Sequence, residues 1–132
     1  MSNIRYSSSA EGIDASELAG FFVGWPRPPD ERQRLRVLQA ADEVVIARDC
    51  DGTLVGFVTA ITDGVFAAYV PLVEVLPAFQ RRGIGSALVE NMLSRLRQCD
   101  MIDLVCDDDV APFYERLGGT RIGAVAWRSL PQ

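Results

Sequence analysis

Residues Val73 to Leu88 read VEVLPAFQRRGIGSAL, and the stretch changes character twice along its length. The apolar run Leu72 to Leu76 predicts a strand, which Pro77 stops because it has no N–H to give a ladder. Gln80-Arg81-Arg82-Gly83-Ile84-Gly85 predicts a short loop carrying two arginines and two glycines. A helix follows at once, since Leu88, Val89, Met92, Leu93 and Leu96 recur at helical spacing. Strand, glycine-containing turn and helix N-terminus in that order make a ready anion site. The first helical N–H groups have no partner inside the helix and point at whatever sits on the turn. Gly83 and Gly85 let a ligand approach the main chain, and Arg81 and Arg82 add charge of the matching sign. Two readings stand at this point: a phosphate or pyrophosphate cradle, and ordinary packing punctuation with two solvated arginines. The P-loop pattern is absent because no Lys-Ser/Thr follows the glycines. The full G-x-G-x-x-G also fails, with Leu88 where the third glycine would fall.

Composition bounds the rest. At 132 residues the chain reads as one domain, 1–132, with room for a single core. Its 48% hydrophobic and 23% charged content is that of a globular chain and argues against disorder. No apolar run approaches the ~20 residues a bilayer span needs, and the opening MSNIRYSSSAEG lacks the apolar core of a signal peptide. A cytoplasmic location, with no membrane partner, is the expectation. The net charge of −5 argues against nucleic acid as a partner. It suits a cationic amine, and it equally serves solubility. All 13 basic residues are arginine, with no lysine and no histidine. That excludes a histidine base, a histidine metal ligand and a lysine Schiff base, and no metal is expected. Cys50, Cys99 and Cys106 are odd in number and lack C-x-x-C spacing, which reads as free thiols in a reducing compartment. A cysteine nucleophile would lack the histidine that normally activates it.

Along the chain, Ile4-Arg5-Tyr6 predicts a first strand. Asp14 to Val23 predicts a helix, with capping-box spacing at Asp14 and Glu17 and an apolar face of Leu18, Phe21 and Phe22. Trp25-Pro26-Arg27-Pro28-Pro29 is a stiff linker. A second helix runs from Asp30 to about Ala41, Leu35 and Leu38 facing inward and Arg32, Arg34 and Arg36 mostly outward. Val44–Arg48, Thr53–Thr62 and Val65–Leu76 predict a three-stranded antiparallel meander through turns at Asp51-Gly52 and Asp63-Gly64. Pro71 predicts a bend, bulge or unpaired stretch. Ile102–Cys106 predicts a strand parallel to the one ending at Leu76, because a whole helix separates them. Asp107-Asp108-Asp109 opens a helix that Gly118-Gly119 closes, and Arg121–Ser129 predicts a last strand.

Gln80-x-x-Gly83-x-Gly85, directly after Val75-Leu76-Pro77, resembles the acyl-CoA-binding motif of the GNAT superfamily of N-acyltransferases, whose pattern is Arg/Gln-x-x-Gly-x-Gly/Ala. The element order β-α-α-β-β-β-α-β-α-β matches that superfamily over essentially the whole chain, except that the fold usually ends in two strands. Gly24-Trp25 after the first helix, and Val55-Gly56-Phe57 with Asp63-Gly64, resemble segments of a broad group of small, mostly uncharacterised GNAT proteins. The fold implied is α+β, a mixed and mainly antiparallel sheet with helices on both faces.

The resemblance also implies roles. The amides of Arg81, Arg82, Gly83, Ile84, Gly85 and Ser86 would hold the pyrophosphate of acetyl-CoA, the co-substrate. The backbone of Val73, Glu74 and Val75 would pair with the pantetheine arm, which fits a strand segment bracketed by Pro71 and Pro77. Ala111-Pro112-Phe113-Tyr114-Glu115-Arg116-Leu117-Gly118 resembles the helix A-x-x-F/L-Y-E-x-L-G-F, whose tyrosine protonates the CoA sulfur. That role falls on Tyr114, with Phe113 and Leu117 turned to the core. Gly119 replaces the usual Phe, and Asp107 stands where an Asn often contacts the cofactor. Glu74, the one carboxylate in the central strand, is the candidate general base. Asp107, Asp108 and an amine arriving already neutral are the alternatives. Trp25, Phe21 and Phe22 would border the acceptor pocket.

The function so implied is direct acetyl transfer from acetyl-CoA to a primary amine, on a small molecule or a peptide, without a covalent enzyme intermediate. An inactive acyl-CoA-binding sensor or assembly module is the alternative. Homodimers are common in the superfamily, so a second copy of the chain is a candidate partner.

Overall fold

The computed structural model describes residues 3–129. Five strands form one sheet in chain order: β1 (Arg5–Ser7), β2 (Glu43–Arg48), β3 (Leu54–Thr62), β4 (Ala67–Val75) and β5 (Met101–Asp103). The first four pair antiparallel, and β5 runs parallel to β4. Three helices complete the fold, α1 (Glu31–Ala40), α2 (Ile84–Arg95) and α3 (Ala111–Arg116). The architecture is the α+β one expected, a mixed and mostly antiparallel sheet with helices on both faces.

Two cores explain why β3 reads as an unbroken apolar run: both of its faces are covered. On one face Leu88 and Met92 of α2, with Leu96 just past its end, pack on Val45 and Val58. On the other, Leu18, Phe21 and Leu38 pack on Ile46 and Phe57. Gly56 sets how closely α2 can approach. A β-carbon there would lie 3.0 Å from both Leu88 Cδ1 and the Glu74 carbonyl oxygen, so a side chain would push the helix off the sheet. Asp30 caps α1 by accepting the Gln33 N–H at 2.9 Å while Gln33 returns the bond, the reciprocal box that starts a helix cleanly.

The geometry that matters is the splay between β4 and β5. β3 pairs with β4 up to Gly56↔Val75, with Ala60 facing the two residues Val70 and Pro71 in a bulge. β5 pairs only with Ala67, Ala68 and Tyr69. Beyond the bulge, the edge of β4 from Leu72 to Val75 therefore has no strand beside it among the described residues. Pro71 breaks the ladder where the two strands part.

Three expectations are corrected. The helix expected over Asp14–Val23 is only a 3-10 turn, Ala15–Leu18. Its capping box is present, but the Phe22 N–H that would continue the helix donates to Glu74 instead, and the Leu18, Ala19 and Phe21 carbonyls are taken by Arg34. The strand expected over Ile102–Cys106 shortens to Met101–Asp103, because the chain leaves the β4 ladder at Asp103. The strand expected over Arg121–Ser129 is not formed: these residues are exposed and belong to no helix or strand, with no sheet partner. The observed order is thus β-α-β-β-β-α-β-α.

Candidate active site

The loop between β4 and α2 is built to present amides. A 3-10 turn at Pro77–Phe79 follows β4, then Arg81 and Gly83 both take left-handed backbone angles, φ 64° and 82°. A non-glycine residue at such an angle costs about 1–3 kcal/mol and persists where its surroundings impose it. Among the described residues, none of the main-chain N–H groups from Arg81 to Ser86 finds a backbone acceptor. Ala87 is the first that does, donating to the Gly83 carbonyl at 3.0 Å. Six consecutive donors at a helix N-terminus are therefore without a main-chain partner among the described residues. A β-carbon at Gly83 would meet nothing within 4 Å, so it would project into open space over the turn. At Gly85 it would touch Phe113 Cζ at 3.5 Å and Val75 Cγ2 at 3.8 Å, so this glycine seats α3 against α2. The Arg82 guanidinium lies over the Phe79 ring, 5.0 Å from its centre, which holds the positive charge beside the loop.

The open edge leads straight into this loop. Val73, Glu74 and Val75 pair with β3 on one side only. Gln80 Nε2 donates to the Val75 carbonyl at 3.2 Å and ties the end of the strand to the loop. A small cavity of about 120 Å³ sits against the same edge, lined by Gly20, Phe21, Val23, Glu74 and Gln80 among others.

Glu74 points to the α1 face, opposite Val73 and Val75, as strand alternation requires. Its Oε1 accepts the Phe22 N–H at 2.9 Å. Phe22 is itself left-handed, φ 63°, and its ring is buried between Phe57 and Trp25. Arg34 explains how that loop is held. Its Nε donates to the Pro29 carbonyl at 2.8 Å, its Nη1 reaches the Leu18, Ala19 and Phe21 carbonyls, and its guanidinium stacks 5.1 Å from the Phe22 ring centre. Burial pushes the Glu74 carboxyl above its usual range; the Phe22 N–H, the Trp25 indole and the Arg34 charge pull back toward the ionised form.

Tyr114 is half-buried on α3, its ring edge-on to Phe113 at 4.9 Å. Burial raises its phenol above the ordinary value, and the Cys106 and Glu74 groups push the same way, so Tyr114 and Glu74 sit within one electrostatic field. Asp107 is exposed, with its carbonyl accepting from Val110 and Ala111 to start α3. Its side chain makes no hydrogen bond among the described residues. Asp108 is likewise exposed, on the rim of a cavity shared with Tyr114.

With this geometry in view, the relatives are informative. Residues 10–119 match the acetyltransferase (GNAT) family. This chain belongs to that family. Among solved structures, a crystal structure from Deinococcus radiodurans R1 assigned as an acetyltransferase is 44% identical, with a TM-score of 0.91 over 96% of this chain and 89% of that one. An N-acetyltransferase of uncharacterised role, ycf52 of Pyropia yezoensis, is 30% identical over 119 residues, 86% of this chain and 68% of the relative. The chloroplastic serotonin N-acetyltransferase 2 of Oryza sativa subsp. japonica is 37% identical over 117 residues, 83% of this GNAT chain and 58% of the relative. The chain is an acyltransferase by that membership.

Of the residues the sequence singled out in this GNAT protein, the fold brings together Val73, Glu74, Val75 and Arg81 to Ser86 in one continuous strip, with Tyr114 across the splay. The Asp107 side chain is left without a hydrogen bond among the described residues. Phe21 and Phe22 are each 3% exposed and belong to the core, Phe21 also lining the small cavity beside Glu74; Trp25 is 42% exposed. Two contributors went unread in the sequence. Arg34 was expected to face outward, and Val23, 67% exposed, lines the cavity beside Glu74. No spacing signal marks either, because both depend on how the 19–25 loop folds over β4.

Proposed function

We propose that this protein transfers an acetyl group from acetyl-CoA directly to a primary amine, with Glu74 as general base and Tyr114 as general acid. The observation that carries the reading is the adjacency of two features. The stretch of β4 edge without a strand beside it among the described residues, Val73–Val75, runs on into six amides with no main-chain acceptor, and Glu74 lies on it. The residues fit the co-substrate: unpaired amides and an open turn at Gly83 suit a pyrophosphate, and a strand edge suits an amide-bearing arm. When bound, acetyl-CoA supplies the activated acetyl thioester.

The chain's own groups would do the rest. The backbone of Val73 to Val75 aligns the arm, and the amides of Arg81 to Ser86 hold the diphosphate end. Glu74, its carboxyl raised by burial, takes a proton from the attacking ammonium or amine directly or through water. Tyr114 keeps its proton through neutral pH and delivers it to the departing sulfur. With no histidine in the chain to activate a cysteine as nucleophile, direct transfer is the reading the residue types favour. Unpaired thiols also fit a reducing compartment such as the cytoplasm. No helix of the described residues is long and apolar enough to cross a membrane. The acceptor class is an amine on a small molecule or peptide, and the whole chain is read as one catalytic domain.

Thermal unfolding with and without acetyl-CoA, followed by thiol release across an amine panel, tests this. Acetyl-CoA is expected to raise the melting temperature by mass action, and at least one amine to release free CoA. Absence of any stabilisation overturns the cradle. Stabilisation without release under every amine leaves only an acyl-CoA-binding module.

A further inference from the structure

On the face of the sheet that carries Glu74, α1 leaves a shelf of side chains uncovered. Ala60, Ala68 and Val70 turn into the α2 core, and Ile102 and Leu104 pack against it. Strand alternation therefore puts Ile61, Tyr69 and Asp103 on the opposite face. The three are cross-strand neighbours: Ile61 pairs with Tyr69, and Tyr69 with Asp103. Ile61 is 56% exposed and Tyr69 39%, and Asp103 is exposed as well, so α1 does not reach over this row. Past the bulge, Leu72 and then Glu74 continue the same face. The charge of this face is one-sided. β3, β4 and β5 hold only two charged residues between them, Glu74 and Asp103, and both stand on it. The Asp103 carboxylate makes no ion pair among the described residues.

We propose that the acceptor is an extended dication, a linear aliphatic diamine or polyamine. Its reacting amine meets Glu74 while its second ammonium rests against Asp103 and Tyr69. The assignment rests on Glu74 being the base of the acetyl transfer, and it makes Asp103 a specificity-determining residue that never touches the reacting atoms. An aromatic ring and a carboxylate at directly paired positions offer an ammonium a π face and a counter-charge together. Tyr69 and Glu74 lie five residues apart on β4, roughly 15 Å at about 3.3 Å per residue, less what the bulge takes up. Pro71 and Leu72 fill that interval with apolar surface, which suits a methylene chain and gives no partner to a polar one. With no arginine on β3, β4 or β5, an acceptor carrying an anionic tail finds no counter-charge on these strands. A monoamine makes the contact at Glu74 and leaves Asp103 unused.

Acetyl transfer to α,ω-diaminoalkanes from diaminobutane to diaminododecane, each against the alkyl monoamine of equal length, tests this in the full chain. The kcat/KM ratio of diamine to monoamine is expected to rise with length to the spacer that joins the two carboxylates. That preference is expected to shrink as salt is added, because Asp103 is exposed. Asp103→Asn is expected to lower the ratio at the preferred length by about five- to tenfold. Asp103→Arg is expected to reverse the choice, favouring the ω-amino carboxylic acid over the diamine of the same length. A merely structural aspartate gives no such reversal, so this variant also decides the matter should Asp103→Asn fold poorly. Equal turnover of diamines and monoamines by the wild type overturns the proposal and leaves acetyl transfer standing. Asp103 variants that keep the diamine preference, or that slow both amines alike, overturn it too. Turnover of no amine at all overturns it together with the acetyl-transfer reading.

Discussion

The Glu74 carboxylate and the Phe22 main-chain N–H, 52 residues apart in sequence, meet at 2.9 Å. The bond joins the open edge of β4 to a loop held in a left-handed conformation. Phe22 carries a strain of about 1–3 kcal/mol. A hydrogen bond to a charged acceptor contributes about 1.5–3 kcal/mol, which offsets it, and the stacked Arg34 guanidinium adds to the balance. The loop conformation and the ionisation of Glu74 are thus coupled through one hydrogen bond.

Glu74→Gln keeps an acceptor for the Phe22 N–H and removes the titrating group. As a base, Glu74 acts only when ionised, so kcat/KM is expected to rise with pH through a midpoint above the ordinary carboxylate range. The variant is expected to lose that rise and about 10²–10⁴-fold in kcat/KM. Stability moves the other way. A carboxyl raised in the folded state binds more protons folded than unfolded, so it costs stability as pH climbs from its unfolded value through its folded one. The variant's melting temperature at neutral pH is therefore expected to equal or exceed that of the wild type. A pH–rate profile with matched thermal scans checks both.

Arg34→Gln tests the loop as a positioning device. Arg34 contacts carbonyls and the Phe22 ring without touching the reacting groups, and its charge favours ionised Glu74. The expected result is a lower melting temperature and an acidic limb of kcat/KM displaced upward, with acetyl-CoA affinity unchanged. A loss of stability with an unmoved limb would make Arg34 structural only.

Gly83→Glu places a carboxylate on the turn whose amides await an anion. Its β-carbon meets open space, so the cost to the fold is the left-handed backbone alone, about 1–3 kcal/mol. Stabilisation by acetyl-CoA is expected to vanish, read by thermal shift or calorimetry. Normal binding by the variant would remove this loop from the site.

Tyr114→Phe deletes one hydroxyl and leaves the packing of the ring on Phe113. A fall of about 10²-fold in kcat is expected, with little change in the KM for acetyl-CoA. Because the phenol is raised above its ordinary value of 10.0, its proton stays on through neutral and mildly alkaline pH. The wild-type rate is therefore expected to show no tyrosine-dependent decline below that value.

Most of the frame was legible because local signals and tertiary packing agree. Pro77, the Gln80–Gly85 loop and the apolar period of α2 mark strand end, turn and helix by backbone chemistry that needs no distant partner. Asp51-Gly52 and Asp63-Gly64 mark the meander in the same way, and Pro71 announced the bulge where β4 and β5 part. The segment Asp14–Val23 misled because its cap and apolar spacing are those of a helix. The acceptors a helix needs are claimed instead by Arg34, and the Phe22 donor by Glu74. The side chains of Phe21 and Phe22 went to the core for the same reason: the loop turns over β4 and carries them inward. Arg121–Ser129 reads as a strand and has the composition of one, but a strand requires an edge to pair with, which no local pattern supplies.

The sequence by itself determined the strand-loop-helix with its run of free amides, the antiparallel meander, and the type of each candidate group, since these depend on neighbours within a few residues. Only the tertiary structure decided that Glu74 faces Phe22, that Arg34 turns inward, that β5 abandons β4 after Tyr69, and that the C-terminal arm stands uncovered. Each of those rests on contacts between segments far apart in the chain, where the partner's position is set by packing rather than by adjacency.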